Sequence, residues 1–141
     1  MKSDFSNLKA LYINCTLKAS PRMSHTEALM NVSMDIMKAE NVSVEYLRFV
    51  DHEVAYGVYH DMTEHGAKKD VWPTLWKKVQ EADILVIGTP IWLGEKSSVA
   101  TKLIERLYGE SGKRNDKGQY YFYGKVGVCI ITGNEDGIKH V

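Results

Sequence analysis

Residues 14–27 read NCTLKASPRMSHTE and join a strand-like segment to a marked helix start. Just before them stands Leu11-Tyr12-Ile13, a continuous apolar run of the kind that is buried on both faces in a parallel sheet. The stretch ends in Ser24-His25-Thr26-Glu27, the spacing of a capping box, in which Ser24 accepts from the amide of residue 27 and Glu27 reaches back. Between strand and helix lie Thr16, Lys18, Ser20 and Arg22, with Pro21 to stiffen the turn. The first amides of such a helix point back toward the loop, and together with the helix dipole they favour an anion. The segment therefore predicts a phosphate-bearing ligand at the end of the first strand.

Outward from this point the chain alternates strands and helices. Leu8–Cys15 is the first strand. After the capping box, Leu29, Val32, Ile36 and Met37 recur at helical spacing, and Asn41 is a natural stop. Val42–Phe49, VSVEYLRF, alternates apolar and polar and belongs nearer a sheet edge. These three elements make one βαβ unit with a right-handed crossover. Asp51–Lys69 shows no period. It carries His52, His60 and His65 among several carboxylates, but their spacing matches no tight ligand pattern, so no metal site is assigned. It reads as a loop over the ligand site or as part of a subunit contact.

Asp70 is placed as the cap of a helix running to about Ala82, with Leu75, Val79 and Ala82 inward and Trp72 and Trp76 covering the sheet. Ile84–Ile87, within ADILVIGTP, has the pattern of a central parallel strand. It is expected to end at Gly88-Thr89-Pro90, with a loop over residues 91–95 leading to Ser97-Ser98 and a helix carrying Val99, Leu103 and Leu107 inward. Arg106 falls in its last turn and Gly109 stops it. Residues 111–123 read as a long surface loop with tyrosines folded onto the body or a partner subunit. VGVCIIT from residue 126 returns to strand, and Ile138–Val141 begin a further helix.

Composition sets the outer limits. The 141 residues suit one domain over residues 1–141, with Met1–Asn7 as a loose lead-in. Lys plus Arg and Asp plus Glu each number 18, a balance that argues against a nucleic-acid surface as the main role. Cys15 and Cys129 lie in apolar contexts and read as reduced core thiols of a cytoplasmic protein. No signal-peptide pattern and no membrane-length apolar run is present, so neither secretion nor membrane spanning is indicated. Walker A, G-x-G-x-x-G, C-x-x-C and nucleophile-elbow motifs are absent, and Thr89-Pro90 stands where a receiver domain would need a phospho-accepting Asp.

The pattern is α/β with a mainly parallel sheet, whose ligands sit beyond the carboxyl ends of the strands. Strand ends at residues 14–26, 89–98 and 132–137 thus converge on one composite site. Its first loop is polar and its second apolar and aromatic, which suits a ligand with a phosphate at one end and a flat body at the other. A mononucleotide flavin has that shape.

The same residues resemble the flavodoxin-like NAD(P)H-dependent FMN reductases and quinone reductases over nearly the whole chain. NCTLKASPRMSHT is similar to the family's phosphate loop, GTPIWLGEKSSVATKLIERL to its flavin loop, and TGNEDG to its Thr-Gly-Gly loop. The resemblance implies that Thr16, Lys18, Ser24, His25 and Thr26 hold the phosphate, that Pro90, Ile91, Trp92, Leu93 and Gly94 border the ring system, and that Thr132, Gly133 and Asn134 approach its pyrimidine edge. Cys15 departs from the family's glycine and His25 from a common asparagine. The implied fold is a three-layer flavodoxin-like sandwich of strand order 2-1-3-4(-5), with the fifth strand and last helix lacking from a chain that stops at Val141.

The implied activity passes electrons from NAD(P)H through bound FMN to a quinone, flavin or similar small acceptor. No side chain is assigned as catalytic, because the cofactor supplies the chemistry. A homo-oligomer, dimer or tetramer, is expected, since an open sheet edge calls for cover. The alternative is a flavodoxin-like electron carrier or FMN-binding regulatory module.

Overall fold

The computed structural model describes residues 4–141, so the first three residues of the expected lead-in lie outside the described residues. The segment before the anion loop forms strand β1 (Lys9–Asn14) at the centre of a parallel sheet. It pairs on one side with β2 (Ser43–Arg48) and on the other with β3 (Ile84–Trp92). Strand β5 (Val126–Thr132) runs parallel along β3, from Ile84 opposite Val126 to Pro90 opposite Thr132. A two-residue strand, β4 (Glu95–Lys96), folds back antiparallel on the end of β3. The order is β2-β1-β3-β5, the flavodoxin-like arrangement that the sequence predicts, with β4 as an appendage of β3.

Alternation along β1 explains why both faces are covered. Leu11 and Ile13 join Phe49, Trp72, Leu75, Trp76, Val79 and Leu103 in one core, under α2 (Trp72–Glu81) and α3 (Ser98–Tyr108). Ala10 and Tyr12 join Met30, Met34, Val42 and Val86 in another, under α1 (His25–Ala39). Gly88 sets how close α1 comes to β3, because a Cβ there would lie 2.3 Å from Met30 Sδ. Tyr121 and Phe122 dock edge-on against Trp76, whereas Tyr120 and Tyr123 stay exposed.

Several elements differ from the sequence reading. On α1 the buried residues are Thr26, Met30 and Met34, while Leu29, Val32 and Ile36 are exposed. The apolar pattern is wider than one sheet-facing stripe, and the sheet takes the methionine face. Strand β3 runs on through Pro90, Ile91 and Trp92 instead of breaking at Pro90, because β5 continues beside it to Thr132. It turns at Leu93 and Gly94, both with positive φ (51° and 74°), the conformation of a tight hairpin turn. Cys129 is exposed on β5 and is no core thiol. Residues 138–140 form a turn, not the start of a helix.

Asp51, at the start of the 51–69 stretch, bonds to the first loop, but from Tyr56 to His60 the stretch lies against α3 and lines no part of the cleft at the strand ends. Asp70 belongs to its anchor more than to a helix cap. Its carboxylate accepts from the amides of Ala55 and Met62 as well as Trp72, and it pairs with the buried Arg106 at 2.7 Å. Arg106 also donates to the His60 carbonyl. Gly109 lets the stretch approach, since a Cβ would sit 2.4 Å from the Val58 carbonyl oxygen. No strand among the described residues pairs with the outer edge of β5.

Candidate functional site

The loop between β1 and α1 is shaped by buried polar groups. Asn14 is fully buried at the end of β1. Its Oδ1 accepts from the Thr16 amide at 3.0 Å, and its Nδ2 donates to Tyr46 Oη at 3.0 Å and to Ser24 Oγ at 3.3 Å. Burial pushes the Tyr46 phenol above its usual range, so it stays neutral as a partner. Thr16 Oγ1 in turn accepts from the Lys18 amide. Ser24 caps α1 by accepting from the Glu27 amide at 3.2 Å, which is half of the capping box. The other half is absent: Glu27 turns instead to Arg48, whose guanidinium also donates to the carbonyls of Lys18 and Arg22. At the outer end of the loop, Asp51 accepts from the Ser20 amide and hydroxyl, and these bonds hold its carboxyl below the usual carboxylate range.

The loop after β3 is tied to the first loop through Ser97. This residue caps α3, accepting from Ala100, while its hydroxyl donates to the Cys15 carbonyl at 2.7 Å and its amide donates to Thr89 Oγ1 at 3.1 Å. Cys15 itself is buried, and burial pushes its thiol up to about 12, so it is an inert filler at the start of the loop. The third loop meets the first through Thr132 and Thr26, whose hydroxyls are 2.7 Å apart. Gly133 packs on the end of β3 so tightly that a Cβ would lie 2.3 Å from Ile91 Cγ2.

Together the three strand ends enclose a cleft of 560 Å³, within the range of small-molecule sites. Thr16, Lys18, Ser24, His25, Thr26, Pro90, Trp92, Thr132, Gly133 and Asn134 line it. Three further residues singled out in the sequence do not. Ile91 is buried beneath Gly133, Leu93 stands almost fully exposed, and Gly94 lies in the turn beyond. The lining includes one lysine, one histidine and no carboxylate. His25 and Thr26, the first residues of α1, have no intrahelical acceptor for their amides. Hydroxyls, orphan amides and a cation at one end, with a proline and a half-exposed Trp92 at the other, fit a flavin phosphate.

Sequence reasoning missed Arg48, Asn14 and Ser97 as organisers of these loops. Ser97 carried a signal in its helix-cap position. Arg48, at the end of a strand, carried none.

The family model of the NADPH-dependent FMN reductases matches residues 8–141. The chain is 37% identical over 139 residues to the 8-demethyl-8-aminoriboflavin-5'-phosphate synthase of Streptomyces davaonensis, covering 95% of this chain and 54% of that protein. It is 54% identical over 136 residues to a protein of Mycobacterium bovis named divalent metal cation transporter MntH, covering 96% of this chain but 20% of that protein. The chain therefore spans about half of one curated relative and a fifth of the other. Among solved structures, RosB with bound 8-demethyl-8-formylriboflavin-5'-phosphate superposes with a TM-score of 0.84 at 37% identity, over 95% of this chain and 55% of that one. FerB, a flavoenzyme NAD(P)H:(acceptor) oxidoreductase of Paracoccus denitrificans, superposes with a TM-score of 0.59 at 16% identity over 89% of this chain and 61% of that one, a likeness of fold alone. By its match from residue 8 to the last residue, this chain belongs to the NADPH-dependent FMN reductase family.

Proposed function

We propose that this chain is a single FMN-binding domain that passes electrons from NAD(P)H through FMN to a small acceptor such as a quinone or a flavin. One observation carries the reading: the ends of β1, β3 and β5 meet in one cleft that is cationic and hydroxyl-rich at the α1 end and apolar at the Trp92 end. When bound, FMN supplies the hydride and electron chemistry. Thr16, Lys18, Ser24, His25 and Thr26 take the phosphate, through hydroxyls, one ammonium and the first amides of α1. Pro90, Ile91, Trp92, Leu93 and Gly94 form the ring side of the site. Pro90 and Trp92 offer apolar contact, Ile91 supports Gly133 from below, and Leu93 and Gly94 shape the turn. Thr132, Gly133 and Asn134 contribute the polar edge.

The relative that carries a bound riboflavin-5'-phosphate derivative supports this choice of ligand. The name of the Streptomyces davaonensis relative, a synthase, also favours a second reading, in which a flavin phosphate is the substrate to be modified instead of a resident cofactor. Fluorescence titration with FMN, followed by rapid mixing with NADPH, tests the first reading. Bleaching of the flavin faster than in free solution and an unchanged flavin mass after turnover are expected. An altered mass selects the second reading, and bleaching no faster than in free FMN points to an electron carrier.

The same reading makes the protein cytoplasmic and a homo-oligomer. Support for the oligomer comes from the exposed apolar side of α1, which calls for cover. No helix among the described residues is long and apolar enough to cross a membrane.

A further inference from the structure

We infer that Glu135 is a positioning residue for the flavin end of the cleft and that its charge lowers the flavin's potential modestly, an inference that rests on the FMN reading above. After β5 the chain folds back along the β3–β4 turn and is fastened to it at three points. The Glu135 carboxylate accepts the amide hydrogen of Leu93. Gly137, at φ +104°, passes so near the turn that a Cβ would lie 2.5 Å from the Gly94 Cα. His140 Nε2 lies 2.6 Å from Glu95 Oε1.

These contacts bear directly on the site. Leu93 follows Trp92 and Glu135 follows Asn134, and both Trp92 and Asn134 line the cleft. Leu93 sits at φ +51°, a conformation that a leucine seldom adopts and that needs outside support. The carboxylate supplies it by holding the Leu93 amide. Because the lining itself contains no carboxylate, Glu135, next to Asn134, is the nearest negative charge along the chain to the lining residues of the third loop. Taking up a hydride, two electrons and one proton, adds one negative charge to a flavin. A carboxylate fixed beside the ring side therefore disfavours the reduced form relative to the oxidised form. Glu135 is exposed, so solvent screens the effect and keeps it modest.

Glu135→Gln separates charge from geometry, since the amide oxygen of glutamine also accepts from Leu93, whereas Glu135→Ala removes both. The test compares the full chain with E135Q and E135A, measuring the dissociation constant for oxidised FMN and the midpoint potential of the bound flavin. E135Q is expected to bind oxidised FMN as the unaltered chain does, and to favour the reduced form about threefold more, which for a two-electron couple is a shift of about +14 mV. E135A is expected to show the same shift together with weaker binding. An unchanged potential in E135Q overturns the inference and leaves the FMN reading standing. An unaltered chain that binds no FMN overturns both.

Discussion

The guanidinium of Arg48, at the last position of β2, reaches beneath the anion loop and pairs with the carboxylate of Glu27 in the first turn of α1. The same group donates to the carbonyl of Lys18 at 3.0 Å and of Arg22 at 2.8 Å, so one buried cation holds both the loop and the helix that follows it. Arg48→Met removes these donors and leaves two carbonyls and a half-buried carboxylate without partners. Its cost is expected to be about 2 kcal/mol by urea unfolding, below the range for fully buried pairs because Glu27 keeps contact with water. FMN affinity should fall by about tenfold in a fluorescence titration, because the loop that offers Thr16 and Lys18 is no longer held.

The phosphate assignment is tested within the loop itself. Thr16 and Thr26 are both buried and close in shape to valine, so Thr16→Val with Thr26→Val changes chemistry more than packing. The pair removes an acceptor for the Lys18 amide and the hydroxyl that meets Thr132. Binding of FMN should weaken by about tenfold or more, with circular dichroism unchanged. Unchanged binding would place the phosphate elsewhere.

Gly133 offers a steric test of the third loop. Gly133→Ala puts a methyl group 2.3 Å from Ile91 Cγ2, and Ile91 is held in the core at the end of β3. The loop must move outward, away from Thr26 and the cleft. Destabilisation of about 1–3 kcal/mol is expected from overpacking, with a loss of FMN affinity that exceeds the loss in an exposed control such as Gly112→Ala, where a Cβ meets nothing.

Much of this architecture was legible because it rests on short-range rules. Ser24 and Ser97 declare helix starts through their spacing, and Leu11–Ile13 and Ile84–Ile87 declare buried strands through unbroken apolar runs. What escaped depends on long-range geometry. Arg48 looks like an ordinary charge at the end of a strand, and only the fold places it under residues 18–27. On α1 the apolar spacing declares the helix but not its buried face, because Leu29, Val32 and Ile36 are more apolar than the Thr26 that faces the sheet. Pro90 suggested a strand end, since proline lacks an amide donor, yet β3 continues because β5 runs on beside it. The 51–69 stretch has no period because its order comes from Asp70 just after it and from Arg106 and Glu110, which lie far from it in sequence.

Glu110 gives the pH dependence its sign. Its side chain is fully buried, which pushes its carboxyl up, but hydrogen bonds from His60, Lys113 and Trp72 outweigh burial and hold it below the ordinary value of 4.5. A carboxyl lowered in the folded state binds fewer protons than in the unfolded chain, so its contribution is complete above about pH 4.5 and is lost as pH falls through the folded value. Glu110→Gln keeps one acceptor for Trp72 but loses the charge. Urea midpoints measured between pH 7 and pH 3 should show E110Q less stable at pH 7, with the difference shrinking below about pH 4.5. A gap that stays constant over that range would remove Glu110 from the acid response.

The two faces of α1 give a test that does not involve the ligand. Met34 is buried against β1 and β3, whereas Ile36, two residues on, is largely exposed beside Ile130, Ile131 and Cys129 of β5. Met34→Ala should cost about 2–5 kcal/mol by the loss of a packed side chain, independently of protein concentration. In a lone chain, Ile36→Ala should stay within about 0.5 kcal/mol, because exposed positions away from special contacts contribute little. If copies of the chain cover this face in solution, Ile36→Glu lowers the mass found by light scattering, and the stability of the unaltered chain rises with its concentration. A large, concentration-independent cost of Ile36→Ala would instead mean that α1 is turned about its axis, with the Ile36 side against the sheet.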